Sequence, residues 1–366
     1  MPNTINEWDN APEKWIKSVL LLFTPKISKY YGIDPYNILA VHDSSRGDDD
    51  LRYTYILQQN ITGDKIALKI AKNCFTTPER VIGWAELAEH YNKLGIYAPR
   101  FLKNSTGVYS SSVDGYIVYA EECYEGKTEA EIELKDESVR TDVLQSLGLA
   151  AANPAPLVPW YTCWCLYDTF DESDLYDENL ICAINFVKFI KENLSEYSEQ
   201  ARTIFNKYKT MRTEFEPIYR SLPKTVFQGD LNSTNILITN DGKFKGLCDF
   251  NLSGTETILN MLFCECCNCW NWTEKDTVSK LSDISAQYQI DNETAKALAV
   301  VGEHYKFTDS EKSAFTTYYN ITYPFRWGNY SFYMHHLRES GTQFASDIFT
   351  WIERQMSRTN VYELLP

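Results

Sequence analysis

"FQGDLNSTNILITNDGKFKGLCDF", residues 227–250, decides how this chain is read. It sets Asp230, Asn235 and Asp249 at the ends of short apolar, strand-like runs. Gly229 lets the backbone turn tightly and leaves Asp230 presented at the top of a loop. Asn235 follows five residues later, at the mouth of the run over 236–239. Asn240-Asp241-Gly242 is turn chemistry, so the chain returns over 244–248 and sets Asp249 beside the loop. Carboxylate and amide oxygens suit a hard cation, and such a cation commonly escorts phosphate. Phosphoryl transfer needs a carboxylate near the attacking hydroxyl and oxygen ligands for magnesium; this loop, hairpin and aspartate supply both.

Outward from that stretch, the spacing predicts a helix over 12–31 around Trp15, Val19, Leu22 and Phe23, then strands over 37–42, 52–59 and 65–71. Residues 60–64 join the last two as a Gly-containing hairpin. "TTPERVIGWAELAEHYNKLG" carries an N-cap at Thr77, Pro78 at the first helical position and Gly95 just past the end. Its apolar residues Val81, Trp84, Leu87, Ala88, Tyr91 and Leu94 keep helical spacing. Further strands are expected over 100–102, 108–110 and 116–121. Beyond a connector at 123–128 the chain turns helical, with a long amphipathic stretch over 195–222 and a capping box opening at Thr308. No internal repeat or low-complexity tract interrupts it. The expected class is α+β and bilobal, with a small β-rich N-lobe and a larger helical C-lobe. A helical extension over 1–33, a nucleotide-binding lobe over 34–122 and a helical lobe over 123–366 with catalytic loop and acceptor site divide the chain.

Length and composition agree with a folded protein: 366 residues, 44% hydrophobic and 23% charged. Fifty acidic against 35 basic residues give a net charge of −15, which argues against nucleic acid and anionic membrane surfaces as partners. The start lacks a basic region followed by an apolar stretch, as an export signal would need. The apolar run at 19–23 is too short to span a bilayer. Ten cysteines without framework spacing then imply reduced thiols and a cytoplasmic location.

The stretch that opens this reading resembles the catalytic segment of the aminoglycoside phosphotransferase and choline kinase-like family, relatives of the protein kinases. The family pattern is His-Gly-Asp, four residues, Asn and, after about a dozen more, an Asp-Phe pair. Here it reads Gln228-Gly229-Asp230, Asn235 and Asp249-Phe250. The resemblance implies a protein-kinase-like fold and magnesium-dependent transfer of the γ-phosphate of ATP or GTP to a hydroxyl of a small acceptor, with cationic acceptors among those the family takes. Asp230 would orient or deprotonate the acceptor, and Asn235 and Asp249 would hold the metal. Lys69 in "KIALKIAK" matches the phosphate-contacting lysine, with Glu86 as its brace and Glu89 as the competing carboxylate. In "GYIVYAEECYEG" the backbone near Glu122 and Tyr124 would meet the purine edge. A one-residue shift stays open there, because this register sets charged Glu121 at the pocket wall. The phosphate-covering loop "HDSSRGDDDLR" has a single glycine, Gly47, and would offer backbone N–H groups at Ser44 and Ser45.

Gln228 stands where the family has His; it can brace the loop by hydrogen bonds but cannot titrate. A nucleotide-binding regulator that has lost catalysis is therefore the alternative. "FCECCNCW" sets Cys264, Cys266, Cys267 and Cys269 around one helix, where they cannot converge on one ion, so buried small hydrophobes are expected. The acidic run over 164–180 reads as a solvated face, with recognition of a cationic acceptor as the sharper alternative. Tyr323, Phe325, Trp327, Tyr330, Phe332 and Tyr333 are expected to pack between helices.

Overall fold

A computed structural model describes residues 30–32, 36–132, 137–266, 281 and 284–366. The helix expected over 12–31 falls outside them, except for its last two residues. The chain forms an N-terminal antiparallel sheet followed by a mostly helical C-terminal part, as its patterning predicts. Two compact units result. One takes the described residues of Met1–Glu133 with Asp171–Ser173 and Thr234–Asn251; the other takes the described residues of Leu134–Phe170, Asp174–Ser233 and Leu252–Pro366.

In the first unit, the alternation in KIALKIAK sends Ile66, Leu68 and Ile70 to one side of a strand and Lys69 to the other. That strand, β3 (Lys65–Lys72), lies between β2 (Leu51–Gln59) and β6 (Tyr116–Glu122), the latter reached after β4 (Phe101–Leu102) and β5 (Ser110–Val113). Strand β1 (Tyr36–Asp43) pairs with β2, and β4 and β5 pair with β6, all antiparallel. Val41, Tyr53, Tyr55, Leu57, Ile66, Leu68, Ile70, Val118 and Ala120 make one buried cluster on the sheet.

Helix α1 (Pro78–Lys93) begins where the capping residues predict, with Thr77 Oγ1 accepting from the Arg80 N–H at 3.3 Å. Its buried face carries Val81, Trp84, Ala85, Leu87, Ala88 and Tyr91. Trp84 packs its ring 5.8 Å from that of Tyr119, on the face of β6 that Lys69 shares. The unit is completed by β7 (Lys127–Thr128), β9 (Ile236–Ile238) and β10 (Phe244–Leu247), which form a small sheet of their own. Strand β8 (Thr225–Phe227), between them in sequence, belongs to the second unit. Gly246 lies so close to the Tyr97 carbonyl that a Cβ would overlap it, and the Leu247 N–H donates to that carbonyl at 2.9 Å. This approach ties the hairpin carrying Asp249 to the segment following α1.

The second unit is built from helices α2 (Glu137–Ala152), α3 (Glu178–Asn193), α4 (Ser198–Ser221), the short α5 (Ile258–Met261), α6 (Ile284–Gly302), α7 (Asp309–Thr322), α8 (Trp327–Ser340) and α9 (Ala345–Gln355). Strand β8 pairs there with β11 (Gly254–Glu256). The core is strongly aromatic: Phe186 meets Phe325, Tyr333 and Phe349 with ring centroids 5.6–6.2 Å apart, a range suited to tilted and edge-on contacts. Tyr323, Phe325, Phe332 and Tyr333 are buried as packing residues. Trp327 is exposed and, with Tyr330, lines a surface cleft instead.

The acidic run over 164–180 is not simply a solvated face. Asp177 is buried, pairs with Arg212 and caps α3 by accepting from the Leu180 N–H at 3.0 Å. Asp168 pairs with Arg220 at 2.6 Å. Among the described residues no helix is long and apolar enough to cross a membrane. Cys74, Cys123, Cys163, Cys165, Cys182, Cys248 and Cys264 are free thiols. Cys267 and Cys269 of the cysteine-rich stretch lie outside the described residues.

Candidate active site

In the first unit, β3 directs Lys69 to the face where Tyr119 lies directly opposite on β6. Two residues along β6, Glu121 occupies the same face, within diagonal reach of a long side chain. Lys69 Nζ stands 3.1 Å from Glu121 Oε1 and donates to Asp249 Oδ1 at 2.9 Å. Burial pulls the Lys69 ammonium down, but Asp249 and Glu121 outweigh it and hold the amine well above the usual lysine range. Burial pushes the Glu121 carboxyl up, and Lys69 offsets only part of that.

Asp249 reaches this position because β10 ends beside the start of β9. The Cys248 N–H donates to the Asn235 carbonyl at 2.9 Å, so the residues carrying the amide and the carboxylate are held at one end of the hairpin. Asn235 is buried, and its Oδ1 accepts from Thr234 Oγ1 at 3.4 Å. Phe250 anchors the following turn with its ring edge-on to Tyr91, centroids 5.5 Å apart. Asp249 itself has φ +56°, a left-handed conformation that strains a residue with a Cβ and that concentrates at functional positions.

Three expectations change here. Glu86 does not brace Lys69: it is exposed on α1, away from the buried face, and so is Glu89, whose carboxylate lies 4.0 Å from Arg100. The apolar stripe of α1 fixes the helix rotation and leaves both glutamates outside. The backbone N–H of Glu122 donates to the Arg100 carbonyl at 2.9 Å, and its side chain accepts from the Arg100 N–H. That N–H is therefore unavailable to a purine. Tyr124 donates its hydroxyl to the Ile238 carbonyl at 3.0 Å, and among the described residues its backbone N–H has no acceptor. In the loop after β1, the Ser44 N–H donates to the Arg52 carbonyl and the Ser45 N–H to Asp43 Oδ1, both at 2.9 Å. Neither remains for a phosphate.

In the second unit, Gln228 is buried and its Oε1 accepts from the Asp230 N–H at 2.7 Å, the bracing part its chemistry allows. Gly229 has φ +83°, and a Cβ there would stand 2.3 Å from the Leu252 carbonyl oxygen. Only glycine fits. Asp230 is half-buried, with Oδ1 accepting from Asn232 Nδ2 at 2.8 Å. A second carboxylate, Glu265, accepts from the Leu231 N–H at 3.3 Å. Burial, with Asp230 adding to it, pushes the Glu265 carboxyl up from the usual carboxylate range. Sequence reasoning missed this group. Its one available signal was a lone acid inside an apolar, cysteine-rich run.

Along nearly its whole length the chain aligns with solved small-molecule phosphotransferases. A spectinomycin phosphotransferase in complex with ADP and spectinomycin is 13% identical, with 94% of this chain and 96% of that one covered and a TM-score of 0.46. An amicoumacin kinase in complex with AMP-PNP and calcium is 12% identical, with 96% and 97% covered and a TM-score of 0.47. An aminoglycoside phosphotransferase from Alicyclobacillus acidocaldarius is 11% identical, with 92% of each chain covered and a TM-score of 0.42. At such identities the likeness concerns the course of the chain and not the chemistry of any side chain. No family model and no curated protein matches the sequence.

The side chains fit a magnesium ion by their own chemistry. Asn235 and Asp249 offer amide and carboxylate oxygens, the hard donors that magnesium takes. Among the described residues no cluster of three or more His, Cys, Asp or Glu could hold a metal alone.

Proposed function

We propose that the chain is a small-molecule kinase, transferring the γ-phosphate of ATP or GTP to a hydroxyl of a small acceptor. One observation carries this reading: Lys69 and Asp249, distant in sequence, meet at 2.9 Å, while the backbone at Asn235 is bonded to the residue before Asp249. An amine for phosphate oxygens and two oxygen donors for a metal are what phosphoryl transfer asks of a protein that works by positioning and charge.

In this reading Lys69 binds the α- and β-phosphates and releases Asp249 as it does so. Asn235 and Asp249 would hold magnesium, which when bound neutralises charge on the phosphates. The Tyr124 backbone N–H is the donor open to a purine edge. Asp230, braced by Gln228, would align the acceptor hydroxyl and take its proton. Residues 1–33, 34–122 and 123–366 would serve as extension, nucleotide lobe and acceptor lobe, with the hairpin of β9 and β10 packed in the first unit.

The test is nucleoside diphosphate release with Mg-ATP or Mg-GTP across a panel of hydroxyl-bearing acceptors, cationic amines included. Asp249→Ala is expected to lower turnover by about 10²–10³-fold or more, as for loss of one group that stabilises transition-state charge, while the chain still folds. Near-normal phosphorylation by that variant would refute the assignment. Nucleotide binding without turnover on any acceptor would favour the regulator.

A further inference from the structure

Given the kinase function proposed above, on which this inference rests, we infer that Glu121 is the positioning residue that holds Lys69 for the phosphates. It would take, from the central sheet, the part that the resemblance assigns to a glutamate on α1.

The register of the sheet makes the pairing. Lys69 is opposite Tyr119 and Ala67 is opposite Glu121, so both charged side chains rise from one face of adjacent strands. The Lys69 and Glu121 side chains are only 14% and 6% exposed, against 37% for Asp249. One ammonium therefore faces two carboxylates of unequal freedom. Asp249 sits at the end of a hairpin and has a second use as a metal ligand. Glu121 is fixed on β6 and has no other cationic partner among the described residues. When Asp249 turns to a cation, Lys69 remains the neutralising neighbour of a buried carboxylate, which would be costly to leave unpaired.

The contact also has the geometry of a tether. Glu121 Oε1 lies 3.1 Å from Lys69 Nζ, within ion-pair distance. The ammonium has three N–H donors, enough to face Glu121 and Asp249 together and, once Asp249 leaves, to offer a donor to a phosphate oxygen. Glu86 and Glu89, exposed on α1, can do none of this.

Two readouts separate the pairing from the function. The first uses the full chain without nucleotide: competitive acylation of Lys69 by acetic anhydride, followed by mass spectrometry from pH 8 to 11. Glu121→Gln removes one of the two negative charges beside the ammonium and is expected to raise Lys69 acylation at pH 9 by about tenfold, the low end for loss of one close opposite charge. Glu86→Gln is expected to leave it unchanged. Glu121→Asp, which keeps the charge, is expected to fall between and covers the case in which the glutamine variant does not fold. Equal acylation of Lys69 in wild type and the Glu121 variants overturns the pairing, whatever the chain catalyses. The second readout is Mg-ATP and Mg-GTP affinity by calorimetry, expected to weaken about tenfold in Glu121→Gln and not in Glu86→Gln, from the same loss of a positioning charge. Altered acylation with unaltered affinity overturns the positioning role. A wild type that binds neither nucleotide overturns the kinase reading and this role with it, while the acylation result still decides the pairing.

Discussion

Replacing Gly229 by alanine tests whether the Asp230 loop depends on one close backbone approach. Gly229 and Gly242 share nearly the same left-handed conformation, φ +83° and +84°. They differ in surroundings: a Cβ at 229 would meet the Leu252 carbonyl oxygen at 2.3 Å and its carbon at 3.0 Å, whereas nothing stands within 4 Å at 242. Both alanine variants carry the left-handed penalty, about 1–2 kcal/mol. Gly229→Ala adds an overlap with main chain that no rotamer can relieve, comparable to overpacking at about 1–3 kcal/mol. Urea denaturation should thus show a loss of about 1–2 kcal/mol for Gly242→Ala and about 2–5 kcal/mol for Gly229→Ala. Relief of the overlap must move the loop that bears Asp230. A displacement of about 1 Å is enough for a roughly 100-fold loss of rate, so turnover should fall in Gly229→Ala and stay near wild type in Gly242→Ala. Equal destabilisation by the two substitutions would show that the approach to Leu252 is not limiting and would refute the reasoning.

Glu256 supplies a pH test within the second unit. It is buried, accepts from the Thr257 and Leu166 N–H groups and the Tyr219 hydroxyl, and burial pushes its carboxyl up from 4.5 to about 7. The folded state therefore binds the proton more tightly, and this contribution is complete below pH 4.5 and lost as pH rises through 7. Glu256→Gln should gain on wild type by up to about 3 kcal/mol between about pH 4.5 and 8 in urea denaturation; a difference constant with pH would overturn the assignment. Asp177→Ala should lose about 3–5 kcal/mol, because Arg212 would stay buried without its carboxylate. Asp177→Asn, which can still cap α3, should lose less than the alanine variant, and urea denaturation of both checks this.

The sequence by itself determined the local elements. The caps at Thr77 and Thr308, the alternation in β2 and β3 and the turn at Asn240-Asp241-Gly242 each encode a face or a boundary within a few residues. The placing of Asp230, Asn235 and Asp249 along one loop and one hairpin was legible there as well, because it needs only local turns to be read. What only the tertiary structure decided is which charges meet. Glu86 had helical register and a suitable distance in sequence, but the apolar stripe of α1 turned it to solvent. Strand pairing instead set Glu121 beside Lys69. Packing likewise set Glu265 near the Asp230 loop and took Asp168 and Asp177 into ion pairs with α4. Periodicity specifies what each element hides from water, a short-range property of the chain. The partner of a buried charge depends on register and rotation among elements far apart in sequence, and those are fixed only when the whole core closes.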